Sequence, residues 1–200
     1  MTTPYFIGIV GGTCSGKSQL ARTVAQNLDK RCEILPLDSY YVVDPNRKDH
    51  DHPTAIDFTL LNRDLESLSA GNAISIPLFG SHVEVAPTKS KLISPTDVII
   101  VEGLHVFWDK DVLSKMSLRV FLDIDADIRL ARRIIRDVVE YSLNVEDVCQ
   151  YYLTTVRLAH NHFIEPMREY ADLIITSLTT DDQVEVIERY LKKQAILQSS

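Results

Sequence analysis

Gly11-Gly12-Thr13-Cys14-Ser15-Gly16-Lys17-Ser18 sets a glycine-rich turn directly after the apolar run Tyr5–Val10, with a lysine and a hydroxyl behind its last glycine. The spacing Gly-x-x-x-x-Gly-Lys-Ser is that of a phosphate-binding loop. Glycines reach φ > 0 without strain, so successive backbone N–H groups can turn inward around phosphate oxygens. A helix starting at the loop adds the positive end of its dipole. Lys17 can then reach the β- and γ-phosphates of a nucleotide, and the Ser18 hydroxyl can ligate Mg²⁺. The competing reading is an ordinary strand-to-helix turn. A β-rich run before the loop and helical spacing after it favour phosphate binding.

Carboxylates and arginines complete the set of reactive groups. Glu102 ends the run "VIIVE", where it can hold Mg²⁺ or its water shell across from Ser18, or simply be a solvated acid at a strand end. Asp38 follows a predicted strand in "LPLDSYY" and can orient an acceptor hydroxyl and take its proton. Taken alone, an Asp there is more often a turn cap. Arg129, Arg132, Arg133 and Arg136 fall on one helical face, a guanidinium stripe suited to a triphosphate. The alternative is a solvated face pairing with Asp125, Asp127 and Asp137. His50-Asp51-His52 lacks the neighbouring ligands a metal site needs, and His160 and His162 have the wrong spacing for a two-histidine face.

The elements that must position these groups alternate. Tyr5–Val10 reads as a buried strand, followed by a helix carrying Leu20, Val24 and Leu28. Glu33–Leu37 reads as a second strand stopping at Asp38, and residues 42–53 as a loop. Thr54 is expected to cap a helix with Phe58, Leu61, Leu65 and Leu68 inward, closed by Gly71-Asn72. Residues 73–93 suggest a β-hairpin outside the main sheet. Strands are expected at Val98–Val101, Leu118–Ile124 and Ala171–Thr176. Helices are expected over Asp127–Tyr141, over Val145–Glu165 up to Pro166, and around Val184, Ile187 and Leu191. This order implies an α/β fold, a doubly wound parallel sheet that binds ligands beyond its carboxyl edge. Gly11, Asp38, Glu102 and Asp125 fall at that edge.

Composition narrows the partners. A chain of 200 residues, 45% hydrophobic, suffices for one sizeable α/β domain over 1–200 with a small excursion. A net charge of -7 argues against nucleic acid or an anionic membrane as main partner. Cys14, Cys32 and Cys149 are scattered and odd in number, which fits a reducing, intracellular setting. No targeting or membrane-spanning pattern stands out, so a cytoplasmic address is expected.

The stretches "GGTCSGKS", "LDSYY", "DHPTAIDF", "VIIVEGL", "DADIRLARRIIRD" and "FIEPMREYADLII" occur in the order and approximate spacing of the uridine kinase family. From the phosphate loop to residue 175 the chain resembles uridine–cytidine kinases, within a group that includes phosphoribulokinase, pantothenate kinase and nicotinamide riboside kinase. The resemblance implies a P-loop NTPase-type fold with a helical lid at about 127–145, ATP and Mg²⁺, and transfer of the γ-phosphoryl group to the 5′-hydroxyl of a nucleoside such as uridine or cytidine. Asp38 matches the family's catalytic aspartate, acting with Lys17. Tyr41 matches an aromatic residue lining the nucleoside pocket, and Asp51 the acid that holds the ribose. Phe79 and His82 fall on the base side. Arg133 matches a lid arginine near the substrate, with Arg132 and Arg136 toward ATP. Members commonly form tetramers, so a homo-oligomer is compatible with the resemblance.

The chain departs from the family where the base is chosen. Glu140-Tyr141-Ser142-Leu143 stands where Glu-Arg-Gly-Arg is usual, Tyr151 where a base-contacting glutamine is common, and Ser177-Leu178-Thr179-Thr180 where Pro-Arg-Gly-Gly is usual. The loop between Tyr41 and Asp51 is short, and the hairpin is shorter by about two residues. The transfer groups are spared, so intact transfer with an altered or broadened acceptor is expected. A related small-molecule kinase acting on nicotinamide riboside, pantothenate or a sugar phosphate, and a nucleotide-binding regulatory protein without turnover, stay open as alternatives.

Overall fold

The computed structural model describes residues 3–28, 32–44, 49–79, 87, 89–177 and 179–194. Five strands form one parallel sheet: β1 (Tyr5–Gly11), β2 (Cys32–Pro36), β5 (Val98–Glu102), β6 (Leu118–Leu122) and β7 (Leu173–Ile175), in the order β2-β5-β1-β6-β7. β3 (Ile74–Leu78) and β4 (Lys89–Ile93) pair antiparallel as a separate two-stranded sheet, the expected excursion.

The period-2 alternation of the central strands divides the core into two layers. Phe6, Val10, Ile99, Val101 and Phe121 pack on one face with Leu61, Leu65 and Leu68 of α2 (Phe58–Ser69). Ile7, Ile9, Ile100, Val120 and Leu122 pack on the other. They meet Leu20 and Val24 of α1 (Lys17–Asn27) and Val184, Ile187 and Leu191 of α7 (Thr180–Lys193). β5 is buried along its whole length, as a central parallel strand must be. Each buried Leu or Ile contributes about 1.5–3 kcal/mol, so truncating one of these contacts costs more than any surface change. Among the described residues no helix is long and apolar enough to cross a membrane.

Several boundaries differ from expectation. β2 ends at Pro36, and Leu37–Tyr40 wind into a 3₁₀ turn, so Asp38 sits on a turn just past the strand. Thr54 does not cap α2. It lies in a 3₁₀ turn, Pro53–Ala55, with its hydroxyl 2.8 Å from His52 Nδ1. Asp57 caps the helix instead, accepting from the Leu60 amide at 2.9 Å, because it is the residue next to the first helical turn. Gly71 closes the helix at φ 85°, as its left-handed turn requires.

The carboxyl half brings a long helical path. A short α3 (Lys110–Lys115) precedes β6, and α4 runs Ala126–Val139. α5 (Val145–Tyr151) continues through a π-helical turn at Tyr152–Val156, a short α6 (Arg157–Ala159) and a second π-helical turn at His160–Ile164. Pro166 then opens the 3₁₀ turn Glu165–Tyr170, where the expected stop falls.

Candidate active site

The phosphate-binding loop takes the shape its glycines allow. Cys14 and Gly16 adopt φ of 56° and 104°, left-handed residues flanking Ser15, the alternation that turns backbone N–H groups into a concave nest. Cys14 is the non-glycine residue held there. α1 begins at once, with Gly16 at its cap position and no side chain satisfying the first amides. Those amides are the free donors of a helix N-terminus. Lys17 is buried and its Nζ donates to the Gly12 carbonyl at 2.9 Å. Burial pushes its ammonium pKa down, while Glu102 and Asp38 pull it up.

Three strand ends meet the loop around one open cavity of about 720 Å³. Thr13 through Gln19 form one wall, and Asp38, Tyr41, Asp51 and Glu102 form another. Glu102 is buried at the end of β5, in register with Ile9 of β1 and Pro36 of β2, so the sheet itself fixes its position beside the loop. Asp38 is exposed, but onto the cavity and not the outer surface. Partial loss of hydration there, reinforced by the negative charge of Glu102, raises its carboxyl to about 6 against the opposing pull of Lys17 and Arg136. Gly103 makes the approach of the two strand ends close: a Cβ on it would lie 2.4 Å from Leu37 Cβ.

The second half of the cavity holds Asp51 and Tyr41; Phe79 does not line it, and His82 lies outside the described residues. Asp51 is half-buried, and its carboxyl is pushed up by burial against the pull of Arg133. Its amide donates to Asp49 Oδ1 at 2.9 Å. Tyr41 stands edge-on to His50 at 5.9 Å and to Phe79 at 6.4 Å between ring centroids, and burial raises its phenol well above the ordinary value. Phe79 meets the cavity through Tyr41.

The arginine stripe splits. Arg132, Arg133 and Arg136 line the cavity, Arg132 Nη1 donating to the Ser15 carbonyl at 3.3 Å and Arg133 Nη1 to Thr13 Oγ1 at 3.2 Å. Arg133 and Arg136 also pair with Asp137, at 3.1 and 2.7 Å, so facing the loop and pairing on the helix coexist. Asp125 and Asp127 pair with none of the stripe among the described residues. Arg129 is a correction: it is buried and does not line the cavity.

Some residues here carry no signal in sequence. His105 is 1% exposed, and its Nε2 lies 2.7 Å from the Asp51 carbonyl oxygen, which it must meet as a donor. Phe163 is a hub, with His52 and His162 each at 4.6 Å and Trp108 at 5.5 Å. Tyr141, from the divergent segment, reaches the cavity wall and lies 5.6 Å from the Arg136 guanidinium, while Tyr151 lies 5.7 Å from that of Arg133. Gln183 enters the wall from the start of α7. Only contacts across the fold reveal these roles.

The residues present fit a nucleotide polyphosphate and a magnesium ion. The nest, the bare first turn of α1, Lys17 and three arginines converge on one concave surface, which suits a polyanion. Ser18 is exposed on that surface opposite Glu102, offering one hydroxyl and one carboxylate. Among the described residues no cluster of three or more His, Cys, Asp or Glu side chains stands ready to cage a metal. That is the donor set Mg²⁺ takes when phosphate oxygens and water complete its shell.

Comparison with known proteins agrees with this geometry. The model of the phosphoribulokinase / uridine kinase family matches residues 6–184. A uridine kinase of Halobacterium salinarum is 35% identical over 97% of this chain and 90% of its own length. One of Alkaliphilus metalliredigens is 36% identical over 99% of both. Among solved structures, phosphoribulokinase from Rhodobacter spheroides superposes with a TM-score of 0.62 at 15% identity, over 88% of this chain and 73% of that one, a likeness of fold. With the loop, the strand-end carboxylates and the matched span all in agreement, the chain belongs to the phosphoribulokinase / uridine kinase family of phosphotransferases acting on a hydroxyl group.

Proposed function

We propose that this protein is an ATP- and Mg²⁺-dependent nucleoside kinase that transfers the γ-phosphoryl group to the 5′-hydroxyl of uridine, cytidine or a similar nucleoside. The observation that carries the reading is the convergence of Lys17, Asp38, Glu102 and Asp51 on one cavity beside the phosphate loop. The loop amides and Lys17 hold the triphosphate. Ser18 and Glu102 would hold the metal, which would supply positive charge beside the phosphate oxygens. Asp51 and Tyr41 place the sugar, and Phe79 and His82 serve the base side. Asp38 orients the 5′-hydroxyl and accepts its proton as the new O–P bond forms and the γ-phosphorus parts from the bridging oxygen, which leaves with ADP. Arg132, Arg133 and Arg136, in a lid spanning about 127–145 of a single 1–200 domain, neutralise the transferring group and shut out water. Little covalent work falls to the protein; alignment and charge supply the rate.

Tyr141 on the cavity wall, in place of a cationic side chain, supports an altered or broadened choice of base. Such an enzyme would work in the cytoplasm in pyrimidine salvage, singly or as a homo-oligomer, with neither nucleic acid nor membrane as partner. The test is acceptor-dependent release of ADP from ATP across a panel of nucleosides, with nicotinamide riboside, pantothenate and sugar phosphates as rivals. Stimulation by a nucleoside is expected. Stimulation by a rival alone, or saturable ATP binding with no acceptor-dependent ADP, would replace the reading.

A further inference from the structure

Arg129 is a buried cation with hydrogen bonds but no counter-charge among the described residues. It is 4% exposed, and among the described residues it forms no ion pair with a carboxylate; Asp137 pairs with Arg133 and Arg136 instead. It lies in the first turn of α4, where the helix dipole disfavours a cation. A buried charge without a counter-charge is expensive to keep. Its contacts fix it in place nonetheless. Nε donates to the Ile124 carbonyl at 2.9 Å, and Nη2 reaches His160 Nε2 at 3.3 Å. Because a guanidinium can only donate, His160 must accept there as the neutral imidazole. Glu165 Oε2 stands 3.3 Å from that same nitrogen, which has no proton to donate once it accepts from Arg129, so the two are neighbours and not a hydrogen-bonded pair. The third nitrogen, Nη1, is buried with no hydrogen-bond partner among the described residues, and it lies against Gly12: a methyl group there would come within 2.3 Å of it.

Gly12 is therefore held by two cations. Lys17 donates to its carbonyl, and the Arg129 guanidinium is packed against its Cα from outside the cavity. Arg129 is also among the charges that lower the Lys17 ammonium. A polyphosphate in the nest would supply the counter-charge that Arg129 lacks.

We infer that Arg129 is a positioning residue for the phosphate loop, a guanidinium anchored by Ile124 and His160 behind Gly12 that backs the loop and lends its charge to a bound polyphosphate. The inference rests on the proposed reading only in requiring a polyphosphate at the loop.

The test is binding of inorganic triphosphate to the full chain, which involves no acceptor, so its outcome and that of the acceptor panel are independent. Removing the charge in Arg129→Met should raise the dissociation constant about tenfold or more, the scale of one charge-assisted contact. Arg129→Lys, which keeps the charge, should stay within about threefold of the parent protein. A purely structural role would weaken both variants alike, so equal losses, or unchanged binding in Arg129→Met, overturn the inference. Should Arg129→Met not fold, the anchor decides. His160→Phe should weaken triphosphate binding about threefold or more, and His160→Gln, which keeps an acceptor, should not. Equal binding by those two variants would overturn it.

Discussion

His105 Nε2 lies 2.7 Å from the carbonyl oxygen of Asp51, joining the turn after β5 to the loop that presents the Asp51 carboxylate. The same strand therefore carries Glu102 at its end and, three residues on, the donor that holds the acceptor-side loop. Replacing His105 by Leu keeps bulk and deletes the donor. Losing a buried hydrogen bond costs about 1–3 kcal/mol, so the KM for the proposed nucleoside should rise about 5- to 150-fold while the KM for ATP holds. Steady-state kinetics with each substrate varied in turn would show the split. Equal changes in both would mean that His105 serves the fold generally.

His105 and His160 also predict an acid limit. Burial is the largest cause of both shifts, and it holds both imidazoles down at about 4, below the ordinary 6.5. A depressed folded-state value means the unfolded chain binds protons more readily, so stability is complete above about 6.5 and is lost as pH falls toward 4. Urea unfolding at pH 7.5, 6, 5 and 4.5 should show this decline. His105→Leu should flatten part of the decline, because its unfolded chain no longer takes up that proton.

Asp38 carries the chemistry in this reading. Asp38→Asn should lower turnover by about 10²- to 10⁴-fold, the usual worth of a positioned base, with ATP affinity nearly unchanged. In the parent enzyme kcat/KM for the acceptor should climb with pH and level off above about 6, as the carboxyl ionises. The stability sign is opposite to that of the histidines. A folded value raised above 3.8 stabilises at low pH and loses that contribution as pH rises through about 6. Asp38→Asn should therefore melt higher than the parent at pH 7.5 and no higher at pH 4. Retained turnover in this variant would remove the assigned role.

Much of this layout is legible in the residues themselves. The loop, the strands ending at Gly11 and Glu102, and the inward faces of α2 and α7 are local patterns, set by glycine and by periods of 2 and 3.6. Thr54 and Asp57 show where local reading stops: both are good caps, and the first helical turn at Phe58 selects the nearer one. Arg129 shares its helical face with Arg132, Arg133 and Arg136, yet packing against Gly12 and His160 draws it away from the cavity. No spacing along the chain encodes that contact, nor the one between His105 and a loop 54 residues earlier.

Lys17→Ala should harm both binding and rate. In the proposed reading the ammonium reaches the phosphates in ground and transition states alike, and a charged hydrogen bond is worth about 1.5–3 kcal/mol. Nucleotide titration and turnover should each fall by about tenfold or more. A variant that loses turnover but binds ATP normally would place Lys17 in the transition state alone.

Gly103→Ala tests the close approach of two strand ends. The added methyl would overlap Leu37 Cβ, and the Leu37–Tyr40 turn must shift, taking Asp38 with it. A displacement near 1 Å can cost about 10²-fold in rate. Turnover should fall on that order while ATP binding, which the proposed reading assigns to the phosphate loop, holds. A fully active variant would mean the turn yields without moving the carboxylate.

The two π-helical turns at Tyr152–Val156 and His160–Ile164 make chain length, as well as residue type, a constraint on this stretch. A π turn accommodates one more residue than an α turn, so the usual means of absorbing an added residue is already in use here, and inserting a single position would rotate everything downstream by about 100°. Phe163 would then swing off His52 and Trp108, unseating the ring cluster next to the loop that carries Asp51. Point replacements here should be tolerated far better than one-residue insertions.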